Sequence, residues 1–161
     1  MTLTEYNRSV DDYADRLYRF VLKTLHGEDD AKDIVQESFA RLWSKLEEVS
    51  PEKAKSYLFT TAYHIMVDMF RKEKRKTGYQ DNFSDEFAHS GSYSDLSEIL
   101  HKALKKLPEI QRSVILLRDY EGYSYDEIAK ITNLNESQVK VYIFRGRLFL
   151  KKYIGSIETV V

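Results

Sequence analysis

Ser124 stands three residues before Glu127, and Asn135 stands three residues before Gln138. Each pair has the spacing of a reciprocal helix cap: the first side chain accepts from an orphan amide and the second reaches back to the cap's own N–H. Two helix starts eleven residues apart leave room for one short helix, a tight turn and the start of a second helix. Asn133 tolerates the left-handed conformation that such a turn needs. Ile128, Ala129 and Ile131 can then face Val139, Ile143, Gly146 and Leu150, which is a helix-turn-helix pattern. Gly146 either lets the helices approach closely or is simply a weak helix position, costing about 1 kcal/mol against Ala.

With that stripe inward, Gln138, Lys140, Val141, Tyr142, Phe144, Arg145 and Arg147 lie outward or on the flanks. The set suits a major groove. Lys140 and Arg145 have donors for guanine edges or phosphates, Gln138 matches adenine, and Val141 or Phe144 matches a thymine methyl. The helix start at Asn135 offers amides to a phosphate. Taken singly, each cation fits a solvated basic helix equally well. Spacing, turn and charge taken together favour DNA.

In the rest of the chain long helices are expected. Only six Gly and two Pro in 161 residues are too few to punctuate a many-turned β fold. Hydrophobic content of 42% with 32% charged residues is globular in kind. Residues 77–95 hold no Lys or Arg, four carboxylates, two glycines and four serines, and read as a linker. About 19 extended residues reach roughly 60 Å. We therefore expect an all-α protein of two small helical domains, 1–76 and 96–161, joined by the acidic strap 77–95. No apolar run approaches the ~20 residues that span a bilayer, so stable membrane insertion is not expected. The absence of cysteine rules out disulfides and thiolate metal sites and suits a cytoplasmic protein. His26, His64, His89 and His101 are dispersed, with no metal-ligand spacing, and there is no Gly-rich phosphate loop or nucleophile elbow. Neither a catalytic residue, nor a metal, nor a cofactor is expected.

In the N-terminal half, Leu17, Phe20, Val21 and Leu25 recur at helical spacing and Gly27 ends that element. Asp29 or Asp30 is positioned to cap a second helix whose apolar set is Ile34, Val35, Phe39, Leu42, Trp43 and Leu46. Asp33, Gln36 and Glu37 form its polar face. Pro51 breaks it, and a longer helix runs from about Lys53 to Lys76. There Tyr57, Thr61, His64, Asp68, Arg71 or Lys72, and Arg75 line up at steps of three and four. Arg71 to Lys76 carry five cations against Glu73, more than a helix dipole requires and enough to attract phosphates.

Residues 96–155 resemble region four of the RNA polymerase sigma factors, through LPEIQRSVILLRDYEGYSYDEIA and QVKVYIFRGR. The run DIVQESF resembles their region-two signature. With a linker between them, the two match the extracytoplasmic-function (ECF, group IV) sigma factors of the sigma-70 family. The resemblance implies a role for each patch. Asp33, Gln36, Glu37 and Arg41, with Phe39 and Trp43 near the edge, become the contact with a coiled coil of the polymerase largest subunit. Tyr57, Thr61, His64, Asp68, Arg71, Lys72 and Arg75 become the grip on the opened downstream promoter element. Tyr57 and His64 are the candidates for its base pocket, although His64 fits equally as a partly exposed helix residue. Asn135, Gln138, Lys140, Val141, Phe144, Arg145 and Arg147 become the reader of the duplex upstream element. The family more often has Thr-Val-Lys/Arg-Ser-Arg where this chain has Gln138-Val139-Lys140-Val141-Tyr142, which points to a different upstream sequence. An anti-sigma partner is also implied, as is a place for the linker carboxylates in the polymerase's basic RNA channel. The competing reading is a helix-turn-helix regulator that binds duplex DNA without polymerase.

Overall fold

The structure, a computed structural model, describes residues 1–25, 27–77 and 95–158. The central acidic strap lies outside these residues. Among them there is no strand. The elements are α1 (Leu3–Leu25), α2 (Glu28–Ser44), a 3-10 turn (Pro51–Lys53), α3 (Ala54–Thr77), α4 (Asp95–Lys106), α5 (Glu109–Ile115), a π-helical turn (Leu116–Tyr120), α6 (Tyr125–Thr132) and α7 (Glu136–Glu158).

Helices α1, α2 and α3 bundle around Leu17, Phe20, Val21, Ile34, Leu42, Leu58, Phe59 and Met66, all buried. Their apolar residues recur at steps of three and four, so each helix has one face to bury. The cap of α2 is not the one expected. Gly27 occupies the N-cap position without a side-chain hydrogen bond, and Asp29 and Asp30 fall inside the first turn. There they still favour the positive end of the helix dipole.

The C-terminal half follows the expected helix-turn-helix closely. Ser124 Oγ accepts from Glu127 N at 3.1 Å while Glu127 Oε1 accepts from Ser124 N at 2.9 Å. Asn135 and Gln138 repeat the arrangement at 2.8 and 3.1 Å. Asn133 has φ 60°, the left-handed turn residue. Val139, Ile143, Gly146 and Leu150 are buried, as are Ile128 and Ile131, whereas Ala129 is half-buried.

Arg112 is the polar centre of this half. The side chain is buried, and its guanidinium donates to the carbonyls of Leu104 (2.8 Å), Lys105 (2.9 Å) and Leu107 (2.7 Å) at the end of α4, and to that of Thr24 at the end of α1. Helix C-termini leave orphan carbonyls and carry partial negative charge, so one fork of donors satisfies both ends at once.

That Thr24 contact is one of several joining the two halves. The π-helical turn and the residues after it reach α1 and α3. Glu121, whose side chain is 9% exposed, lies 2.9 Å from Arg16 and 3.6 Å from Lys55. The pairing is by charge rather than by an aligned hydrogen bond to Oε1. Lys55 also donates to the Glu121 carbonyl at 3.3 Å and sits over the Tyr123 ring. Burial depresses the Lys55 pKa, as does Arg16, while Glu121 pulls it back up. The rings of Phe59 and Tyr123 meet edge to face at 6.0 Å, and Lys23 lies 4.1 Å over Tyr120. Burial raises the Tyr123 phenol to about 12.

Replacing Glu121 by Ala leaves two cations facing each other without their anion. With Arg16 partly exposed, the cost to this arrangement is about 1–2 kcal/mol. Single-molecule energy transfer between labels on α3 and α7 is expected to show roughly a tenfold rise in the separated fraction; an unchanged distribution would contradict this role for Glu121.

Candidate nucleic-acid and polymerase interfaces

Three surfaces carry the residues singled out by the sequence. The first is the outer face of α2. Asp33, Gln36, Glu37 and Arg41 are all exposed, on one stripe opposite the buried Ile34, Ser38 and Leu42. Arg41 pairs with Glu37 at 3.0 Å within the helix. Trp43 is 51% exposed, its ring 5.1 Å from that of Tyr6. Phe39 is a correction: it is buried at 8% exposure, with the Tyr6 ring against it and the Tyr6 hydroxyl donating to its carbonyl. Its step from Val35 and Leu42 puts it on the core side, behind the exposed stripe.

The second surface is one side of α3. Tyr57 and Thr61 are half-buried; His64, Asp68, Arg71, Lys72 and Arg75 are exposed. The Tyr57 hydroxyl donates to the Arg41 carbonyl at 3.4 Å, tying α3 to the α2 face. His64 stands edge-on to Tyr63 at 5.5 Å. His64, Asp68 and Arg71 line a cleft of about 440 Å³ whose opposite wall is Ile110 of α5 and the Thr132–Leu134 turn of the helix-turn-helix. Of the α3 set, His64, Asp68 and Arg71 thus face the other half of the molecule, while Tyr57, Thr61, Lys72 and Arg75 lie outside the cleft; residues 71–76 are all exposed.

The third surface is α7. Gln138, Lys140, Val141, Phe144, Arg145 and Arg147 are exposed, Phe144 at 68%. The cap consumes part of what Asn135 and Gln138 offer: Asn135 Oδ1 holds the Gln138 amide and Gln138 Oε1 holds the Asn135 amide. Glu136, Ser137 and Gln138 are exposed at the helix start, where the dipole favours an anion. Lys140 is 3.6 Å from Glu136. Arg147 forks onto Asp119, with Nε to Oδ2 at 3.2 Å and a second bond from a terminal nitrogen to Oδ1. Arg145 makes no ion pair or hydrogen bond among the described residues. Sequence reasoning missed the groove of about 540 Å³ beside the helix, where Tyr125 from α6 meets Phe144, Leu148 and Lys151. The steps from 144 to 148 and 151 were the available signal.

The three surfaces are a polar helical face, a cationic helix beside a cleft and a helix-turn-helix with its long second helix exposed. Residues 10–76 match the family described as Sigma-70 region 2, and residues 97–150 match Sigma-70, region 4. The RNA polymerase sigma factor SigV of Bacillus subtilis is 35% identical over 141 residues, covering 85% of this chain and 83% of that protein. The ECF RNA polymerase sigma factor SigM of the same organism is 27% identical over 144 residues, covering 86% and 88%. Among solved structures, the sigma factor RpoE of Bartonella quintana, in complex with the anti-sigma factor NepR, has the same fold, with a TM-score of 0.78 at 24% identity over 95% of this chain and 98% of that one. The chain belongs to the sigma-70 family of RNA polymerase sigma factors, in its ECF branch. As a sigma factor it directs promoter-specific transcription initiation, and a regulator that works apart from polymerase is not the favoured reading. Among the described residues no helix is long and apolar enough to cross a membrane, and no cluster of His, Asp or Glu is arranged to hold a metal ion.

Proposed function

We propose that the chain divides promoter recognition between its halves, 1–76 and 96–161, while riding on the polymerase core. Helix α7 reads the upstream (-35) element as duplex through Gln138, Lys140, Val141, Phe144 and Arg145. The outer face of α2, with Asp33, Gln36, Glu37, Arg41 and Trp43, docks on the coiled coil of the largest subunit. The side of α3 from Tyr57 to Arg75 takes the opened downstream (-10) strand, with Tyr57 and His64 beside the extruded base. The chain contributes binding and strand capture and no catalytic step; the reaction is the polymerase's, in the cytoplasm.

The observation that carries this reading is the exposed Arg145, unpaired among the described residues, on a helix rolled so that Gln138 and Val141 share its stripe. A guanidinium free of partners has its full fork for a guanine edge, worth about 1–3 kcal/mol per bidentate contact. Arg145→Ala is expected to lower transcription from a cognate promoter about tenfold to a hundredfold while leaving binding to the core enzyme unchanged. Run-off transcription and co-migration with the core measure the two separately, and undiminished transcription would contradict the assignment.

Part of the α3 set faces the 440 Å³ cleft lined by α5 and the α6–α7 turn. His64, Asp68 and Arg71 are exposed within it, and separation of the halves would widen the access of a strand to them. Among solved structures of the same fold, RpoE of Bartonella quintana is in complex with the anti-sigma factor NepR, and CnrH with the cytosolic domain of CnrY. An anti-sigma partner for this chain is a corresponding proposal, and the exposed Phe144, Leu148 and Phe149 of α7 are apolar surface for it to cover.

A further inference from the structure

The three cations of the α7 segment have different circumstances. Lys140 keeps an ordinary i,i+4 pair with Glu136, and Arg145 has no ion pair or hydrogen bond among the described residues. Arg147 is committed across the fold to Asp119, 28 residues away, by both prongs of its guanidinium. The hydrogen bonds to Asp119 raise the Arg147 pKa further. A two-pronged Arg–carboxylate pair is geometrically specific in a way that single surface ion pairs are not.

The position of the fork matters more than its strength. One residue before Arg147, Gly146 meets Ile115 so closely that a Cβ there would lie 2.2 Å from Ile115 Cδ1. Ile115 and Asp119 are four residues apart, at the end of α5 and in the π-helical turn. Besides its buried stripe of Val139, Ile143 and Leu150, helix α7 thus meets one rod at two adjacent points, an apolar approach and a charged fork. The stripe fixes the separation of the helices; the fork, which lies off the stripe, restrains the remaining freedom to roll. Side-chain tips lie about 5–6 Å from a helix axis, so a roll of about 20° moves them by about 2 Å. That is enough to break hydrogen bonds of about 2.9 Å to a base edge.

We propose that Asp119 is a positioning residue for promoter readout: by holding Arg147 it fixes the roll of α7, presents Gln138, Val141 and Arg145 to the bases, and keeps one cation off the phosphates. This deepens the upstream-element assignment of α7 and rests on it. Releasing Arg147 frees a cation beside a polyanion. Phosphate contacts add affinity without sequence information and make it salt-dependent, so loss of Asp119 trades discrimination for indiscriminate grip.

The test uses full-length chain with polymerase core, on templates whose upstream element is randomised. Transcripts are sequenced for enrichment, and promoter binding is titrated between about 50 and 200 mM salt. Asp119→Ala is expected to reduce enrichment of the preferred sequence about tenfold and to steepen the log–log salt slope by about one. Arg147→Ala, Arg147→Lys and the double variant D119A/R147A lose enrichment to the same extent, the double no worse than either single, and the two Arg147→Ala chains leave the slope unchanged. Asp119→Asn, which preserves shape, also loses enrichment and guards against a folding artefact. Wild-type enrichment in the Asp119 variants with only a lower melting temperature would overturn the proposal. So would a slope reduced by about one in Arg147→Ala, which would make that guanidinium a phosphate contact. Failure of the wild-type chain itself to enrich any upstream sequence would instead contradict the assignment of α7 on which this rests.

Discussion

Changing Asp33 and Gln36 together to arginine is expected to reduce promoter-directed transcription by on the order of a thousandfold while leaving the chain folded. Both side chains stand on the exposed stripe of α2 and touch none of the buried residues Ile34, Ser38 and Leu42 behind it. The substitutions therefore cost the fold little, since surface changes away from caps and cores usually stay within about 0.5 kcal/mol. At an interface the same changes remove one carboxylate, one amide and the complementary field, and place like charges opposite each other. Hot-spot side chains cost about 2–4 kcal/mol each when lost, and charge reversal adds to this. Two such losses amount to roughly 4 kcal/mol, a factor of about a thousand. Gel filtration with purified core polymerase, alongside Asp15→Arg on the exposed face of α1 as a control, separates loss of docking from loss of folding. Retained co-migration would remove the α2 face from the account.

The second large effect is on stability. Arg112→Ala empties a buried site and takes the guanidinium from the carbonyls of Leu104, Lys105 and Leu107 and from that of Thr24, of which Leu104 keeps the Leu107 N–H. Each buried acceptor left without a donor costs about 1–3 kcal/mol, and the vacated volume adds to that. With water entering from the partly exposed Lys105 side, we expect a loss of about 3 kcal/mol or more, enough to unfold much of a small helical unit. Arg112→Lys should rescue little, because one ammonium does not reproduce a planar fork aimed at several carbonyls. Urea unfolding followed by circular dichroism gives the result directly. A loss below about 1 kcal/mol in Arg112→Ala would mean that the helix ends find other partners. The same variant also loses the Thr24 contact, so the closed arrangement of the halves should weaken with it.

Local signals proved the most legible. Both reciprocal caps, the left-handed Asn133 and the inward stripe of α7 depend on residues within a few positions of one another, and spacing alone conveys them. The α2 cap was misplaced because three acidic residues in a row follow Gly27, and chemistry alone does not say which of them starts the helix. Phe39 was placed at an interface edge because it belongs to a recognisable run, while its own helical step buries it against Tyr6. What stayed hidden was long-range. Glu121 reads as one more solvated carboxylate in the run DYEGYS, yet it is enclosed between Arg16 and Lys55 from two other helices. Asp119 and Arg147, 28 residues apart, meet only once α5, the π-helical turn and α7 have packed. No periodicity in a single chain announces such a pair, and the π-helical turn that places Asp119 and Glu121 has no sequence signature of its own here.

These hidden contacts bear on function because they set which surfaces are available. In the closed arrangement α2 and the outward stripe of α7 remain exposed while His64, Asp68 and Arg71 face the cleft. All three surfaces are thus exposed in this arrangement, the α3 residues as one wall of an open cleft.

The central claim is that this chain supplies promoter choice to a polymerase and has little use for DNA without it. The direct measurement is run-off transcription with purified core polymerase on a template carrying the region upstream of the chain's own gene, paired with a duplex-binding titration of the chain alone. A discrete transcript that requires both proteins, with weak binding by the free chain, is the predicted result. Tight duplex binding that is equal with and without polymerase, and no transcript, would contradict it.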